Sequence, residues 1–234
     1  MIPDATDIQD DMRGKRFDEL AGEMCDHARS RSRWLRNREA IRAFASALVF
    51  VLLLAGANAD EWFLLPEPKF MGHGVTFPIE GAKATVLVPA KMGEQGVEFV
   101  TVTGWTSASL NEEGVRKATR ACASEWFRHV KPEYVRNRKK VIEYALIQSD
   151  KLPVAATVFA PEFWKEFADV FGPKMIVVIP NRQTVFVFPG VAVDYAEYAP
   201  LIFQAWRGPS AKVSLEVFAL SERGFRAVGR LEEP

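Results

Sequence analysis

The side chains best able to do chemistry in this chain are few and widely spaced. Its histidines are His27, His73 and His129, and its cysteines are Cys25 and Cys122. A transition-metal site needs His, Cys or carboxylate ligands clustered at short spacings, and neither C-x-x-C nor H-E-x-x-H occurs. No metal ligand is assigned. Met71-Gly72-His73-Gly74 sets a histidine between glycines, which let a backbone approach a ligand closely. The plainer expectation for His73 is a surface-loop side chain. Cys122 falls at an apolar position of an expected helix and reads as a small core residue. A nucleophilic thiolate needs a base beside it, and His129 is one helical face away. No P-loop, G-x-G-x-x-G or G-x-S-x-G is present. No catalytic residue and no cofactor is therefore assigned, and Ser107 and Ser109 read as helix-start residues.

A basic run holds more promise for binding. Arg128, Lys131, Arg136, Arg138, Lys139 and Lys140 lie among Trp126, Phe127 and Tyr134. Such a run can contact anions, either lipid head groups or an acidic partner; its alternative is a solvated loop. Arg182, at the tip of an expected hairpin, is the other cation with this pair of readings. The chain carries 30 Lys+Arg and 30 Asp+Glu. A nucleic-acid binder normally shows a basic excess, so nucleic acid is not the expected partner. A protein or an envelope component is.

The N-terminal part has a pattern of its own. Arg29, Arg31, Arg33, Arg36, Arg38 and Arg42 precede the uncharged run Ala43–Gly56, which leads to Ala57-Asn58-Ala59 and then Asp60-Glu61. A basic region, an apolar run and a small-x-small site form an export signal. Residues 24–59 are expected to be a signal peptide cut between Ala59 and Asp60, touching the membrane only in transit. The product is then secreted or periplasmic. The run is shorter than the roughly 20 apolar residues of a spanning helix, which makes an uncleaved anchor the alternative. A buried core helix is disfavoured because the run is apolar on every face. Residues 1–23 are polar and acid-rich, and read as disordered or as an over-extended start with translation beginning at Met24.

Residues 60–234 are expected to form a single domain. Residues 60–72, with Pro66 and Pro68, read as irregular. Val75–Ile79, Lys83–Val88 and Val97–Thr103 read as strands, the last two joined by a turn at Gly93-Glu94-Gln95-Gly96. Asn111 is a good N-cap for a helix over Glu112–Val130, with Leu110 and Val115 placed as a hydrophobic staple. Val115, Ala118, Cys122, Trp126 and Val130 make its apolar stripe. Val141–Ile147 and Val154–Phe159 read as strands, and Pro161 opens a helix that Gly172-Pro173 ends. Met175–Ile179 and Thr184–Phe188 form a hairpin across Pro180-Asn181-Arg182-Gln183. Their continuous apolar character places them centrally. Asp194 caps a helix that Pro200 is expected to kink. Lys212–Leu220 and Phe225–Leu231 close the chain as a hairpin. The expected fold is α+β, with mainly antiparallel sheet, about three helices, a repeated ββαβ unit and the N-terminal signal or anchor helix.

The stretch Lys174–Phe188, with Val193–Arg207, Gly208-Pro209 and Val213–Leu231 after it and Leu110-Asn111-Glu112-Glu113-Gly114-Val115 and Ala118 before it, resembles the bacterial family known as domain of unknown function 1444. In that family an apolar strand ends in Val-Pro. A polar turn, a second strand, a helix and two closing strands follow. The resemblance covers roughly residues 75–231. The family's turn usually carries an Asp before the second strand, where this chain has Gln183 or Thr184. The resemblance implies a fold and no assigned activity, so no functional residue carries over. Members with this pattern are cytoplasmic, whereas this chain carries an export pattern.

The functional expectation is a non-enzymatic binding or interaction module at the cell envelope. The alternatives are a hydrolase assembled from scattered residues such as His73, His129, Glu98 and Glu143, and a membrane-anchored structural protein.

Overall fold

The structure, a computed structural model, describes residues 61–190 and 195–232. The expected signal segment, its cleavage residues Ala57, Ala59 and Asp60, the acid-rich residues 1–23 and the cap Asp194 lie outside these described residues.

The fold is α+β and every strand pairing is antiparallel. A four-stranded sheet is built on β3 (Thr85–Gly93). β1 (Phe63–Pro68) lies along one side of it; β2 (Phe77–Pro78) and β4 (Gly96–Phe99) share the other. A six-stranded sheet uses β5 (Glu133–Arg136), β6 (Ile142–Gln148), β7 (Lys174–Asn181), β8 (Thr184–Pro189), β9 (Glu216–Ser221) and β10 (Gly224–Arg230), in the order β10-β9-β7-β8-β6-β5. The α-helices among the described residues are α1 (Val102–Ser107), α2 (Glu112–His129), α3 (Pro161–Phe171) and α4 (Ala199–Arg207). None of them is long and apolar enough to cross a membrane.

The core follows from strand periodicity. On β7, Met175, Val177 and Ile179 join Val185 and Val187 of β8 in the larger cluster, with α2, α3 and the four-stranded sheet. The intervening Val178, Phe186 and Phe188 point to the opposite face and pack with Ile202 and Phe203 of α4. Successive side chains alternate between faces, so a strand buried on both must be apolar throughout. That is the pattern Met175–Ile179 and Thr184–Phe188 show, and both strands are central as expected.

The N-cap of α2 is also as expected: the Asn111 side chain accepts from Gly114 N–H at 2.8 Å, and Leu110 and Val115 are buried. Pro161 lies in the first turn of α3, whose Phe163, Phe167 and Phe171 are buried.

Several local expectations are corrected. Residues 63–68 are strand, not irregular chain. Leu64 N–H points away from β3 to Thr119 Oγ1 of α2, at 2.9 Å. Pro66 and Pro68 share that orientation, because strand N–H direction repeats every second residue. Having no N–H, they leave no donor unpaired on this edge, which is where prolines are tolerated. Val154–Phe159 is a buried 3-10 segment, not a strand. Pro153 precedes it, and the Thr157 hydroxyl donates back to Val154 O at 2.6 Å, which turns the chain instead of extending it.

Of Val75–Ile79 only Phe77–Pro78 pairs, and the strand expected over Val97–Thr103 stops at Phe99. There Thr101 accepts from Gly104 N–H at 3.0 Å and starts α1. Ser107 therefore ends a helix, and Ser109 sits between helices at φ 51°. Pro200 falls in the first turn of α4, where its missing N–H leaves no intrahelical bond unmade, so no kink follows. The two expected ββαβ units are not equivalent. β3–β4 lie in the four-stranded sheet and the strands after α2 in the six-stranded one, whereas β7 to β10 all share one sheet.

Hydrogen bonds from β9 and β10 help tie the sheets together. Glu216 Oε1 on β9 accepts from Lys83 N–H at 2.7 Å and Ala84 N–H at 3.0 Å. Ala227 N–H on β10 donates to Glu80 O at 2.8 Å. Gly81 follows at φ 75°, where a Cβ would lie 2.5 Å from Ala227 O, so only glycine fits this approach.

Candidate functional site

Arg182 is not the exposed cation that its hairpin position suggested. The β7–β8 turn is enclosed on both flanks. Arg182 N–H donates to Ala211 O at 3.0 Å, and Arg182 O accepts from Ala155 N–H at 3.0 Å. The Asn181 side chain donates to Ala205 O at 2.7 Å and accepts from Gln183 N–H at 2.9 Å. The Arg182 guanidinium turns inward. Its Nε and Nη2 donate to Glu67 Oε1 and Oε2 at 2.5 and 2.9 Å, a fork-on-fork pair. It also lies 4.9 Å from the Phe99 ring centroid. The anion this cation meets is thus the protein's own Glu67, 1% exposed.

His73 belongs to the same cluster: it lies in a loop, but its side chain turns inward and is 11% exposed. Its ring packs on Phe99 with centroids 4.4 Å apart. Its Nε2 lies 3.8 Å from Glu67 Oε2 and is buried without a hydrogen-bond partner. Burial holds the imidazole below its ordinary pKa, and the Arg182 charge adds to this. Burial likewise pushes the Glu67 carboxyl upward, with the Arg182 hydrogen bond and charge pulling the other way.

The basic run divides into a core part and a surface part. Trp126 and Phe127 are buried, with Phe127 against Phe163 at 5.2 Å. Tyr134 donates to Glu166 at 3.0 Å, and burial with that acceptor pushes its phenol up to about 12. The aromatics therefore serve packing and do not interleave a binding face. Arg128, Lys131, Arg136, Arg138, Lys139 and Lys140 are exposed. Arg136 ends β5, and Arg138, Lys139 and Lys140 lie in the exposed turn that joins β5 to β6 at the edge of the six-stranded sheet. Asn137 Oδ1 accepts from Lys139 and Val141 N–H at 2.9 and 3.0 Å. Arg136 Nη1 donates to Lys140 O at 3.0 Å. Arg128 Nε donates to Ser124 O at 3.2 Å.

The hydrolase candidates are not brought together. Glu98 lies 3.5 Å from Lys91 across the β3–β4 hairpin. Glu143 sits by Tyr198 and Tyr144; burial and then its charge raise the Tyr198 phenol, and burial, then the Glu133 and Glu143 charges, raise that of Tyr144. His129 is exposed at the end of α2. Cys122 is half-buried, and burial with the nearby Glu125 charge pushes its thiol up to about 12. Among the described residues no group of three or more His, Cys, Asp or Glu is placed to hold a metal ion.

A cleft of about 590 Å³ opens where the two sheets meet α2 and α3. Its helical wall carries Arg116, Thr119 and Arg120 of α2, which share one helix face by their three- and four-residue spacing, and Trp164 and Lys165 of α3. Its other side carries Glu80 and Glu222, both in turns, and Phe225 of β10, and Leu64 and Leu87 add aliphatic lining. Arg116 is already paired with Glu112 at 2.7 Å. Trp164 is held by its Nε1 donating to Pro173 O at 3.2 Å. Phe225 is stacked on Phe218 at 4.5 Å and meets Phe159 edge-on at 5.8 Å. Sequence reasoning singled out none of these as a site. Each reads alone as a routine helix or turn residue, and only the three- and four-residue steps among Arg116, Thr119 and Arg120 hint at a shared face. Comparison of the chain with protein-family models, curated proteins and solved structures finds no match.

Proposed function

We propose that residues 60–234 form an exported ligand-binding module of the cell envelope, with the cleft between the helices and the β9–β10 hairpin as its binding site. One observation carries the reading: a cleft of about 590 Å³ combines aromatic and aliphatic lining with charged side chains at its rim. Binding sites for small or extended ligands are concave and mostly apolar, with few polar groups, in the range of roughly 300–1,000 Å³. His73, His129, Glu98 and Glu143 line none of it. The arginine-rich region, apolar run and Ala57-Asn58-Ala59 site support export.

Binding of an anilinonaphthalene sulfonate probe tests the site. The native protein should bind it one-to-one with energy transfer from Trp164. Ser221→Trp, which adds bulk to the cleft wall, should abolish binding without lowering the unfolding midpoint. Unchanged binding in Ser221→Trp would place the probe elsewhere and remove the basis for the reading.

A further inference from the structure

The charges around the cleft are arranged by sign. Arg120 and Lys165 stand on the helical wall, exposed, and neither forms an ion pair among the described residues. Glu80, in the turn before β3, and Glu222, in the β9–β10 turn, line the cleft from the sheets, also exposed and also without an ion pair among the described residues. Leu64, Leu87, Val158 and Leu220 supply the aliphatic lining of the same cleft. A purely anionic amphiphile would satisfy one wall and face like charge on the other. A ligand with an acidic and a basic group on either side of an apolar centre satisfies both.

The main chain supplies a second cue. β10 is an edge strand. Its Ala227 N–H points outward, since it donates to Glu80 O at 2.8 Å. Direction repeats every second residue, so Phe225 presents its N–H and C=O along that same outer edge, and Phe225 lines the cleft. An extended chain can pair with such an edge while its side chains enter the flanking pockets.

We propose that the cleft binds an extended peptide segment of a partner protein, with an apolar centre flanked by one acidic and one basic side chain, paired to the β10 edge at Phe225. The acidic group meets Arg120 and Lys165, the basic group meets Glu80 and Glu222, and the apolar centre covers the aliphatic floor. This rests on the cleft being a binding site.

Calorimetry on the protein as recovered from its producing cells tests it. The probes are acetyl-Asp-Leu-Phe-Leu-Lys-amide, the reversed order acetyl-Lys-Leu-Phe-Leu-Asp-amide, the uncharged acetyl-Asn-Leu-Phe-Leu-Gln-amide, and laurate. One charged order should bind about fivefold or more tighter than the uncharged peptide, as expected for two rim charge pairs. Lys165→Glu and Glu222→Lys should each weaken it, and the two together should restore binding for the opposite order. N-methylation of the central Phe should lower affinity if the edge pairs as described. Equal binding of charged and uncharged peptides, or indifference to N-methylation, overturns the peptide assignment. Laurate binding without any peptide binding also overturns it, while leaving the cleft as a site. No binding of any probe, together with loss of the anilinonaphthalene sulfonate result, removes both.

Discussion

Glu67 places a carboxylate where it is 1% exposed, and what makes that tolerable is the two-point grip of Arg182. A buried ion pair adds little over a well-packed apolar pair, yet losing one partner is costly, because the other charge stays buried and alone. Glu67→Gln should therefore lower the unfolding free energy by about 3 kcal/mol in urea titration, the low end of the buried-pair range because Arg182 keeps some water contact. Replacing Arg182 and Glu67 together by Met and Leu should cost less than the single change. His73 gives the same cluster a pH response. Burial and the Arg182 charge hold its imidazole below the ordinary 6.5. The unfolded chain then takes up a proton that the folded chain refuses. Stability is full above that value and is lost as pH falls through it toward the depressed one. Urea midpoints should decline as pH is lowered below about 6.5, and His73→Phe, which keeps a ring against Phe99, should flatten that slope. Cys122, with its thiol near 12, should react with a disulfide reagent at pH 8 far more slowly than a free thiol.

Edges and caps decide which elements form. β1 survives two prolines because it is an edge strand, and α2 closes that edge through one hydroxyl. Thr119→Val keeps the shape but leaves Leu64 N–H buried without an acceptor, and should cost about 1–3 kcal/mol by chemical denaturation. Asn111→Ala should remove about 1 kcal/mol through the lost N-cap of α2. The sequence's basic loop is the turn of the β5–β6 hairpin, where the Asn137 side chain holds Arg138, Lys139 and Lys140 exposed at one sheet edge. Its regular elements were legible where apolar periodicity was long, as in α2, α3, β7 and β8. They were illegible where the deciding contact came from elsewhere in the chain. β1 needed Thr119, and the 154–159 segment needed the Arg182 carbonyl for Ala155 N–H.

At the scale of the molecule, a four-stranded sheet and a six-stranded sheet are joined by Glu216, Ala227 and the Arg182–Glu67 pair, and the cleft lies where the sheets meet α2 and α3. The proposed export has its own measurement. Intact mass of the extracytoplasmic protein should correspond to a chain beginning at Asp60; a mass retaining the Ala43–Gly56 run would mean that the segment stays as an anchor. Apart from the shared helix face of Arg116, Thr119 and Arg120, the candidate site was not legible in the sequence. Its charged residues come from Glu80, Arg120, Lys165 and Glu222, far apart along the chain and each ordinary in its local context.

From residue order alone came the α+β class, the antiparallel character, the central β7–β8 hairpin and the cap of α2. These depend on interactions between residues close in the chain, or on hydropathy that repeats with a local period. Tertiary structure alone decided that Arg182 faces Glu67 instead of solvent, that His73 packs against Phe99 beside them, and that acidic and basic side chains from distant segments line one cleft. Pairings of that kind carry no period, because the partner lies on another element and only the packed fold sets the distance between them.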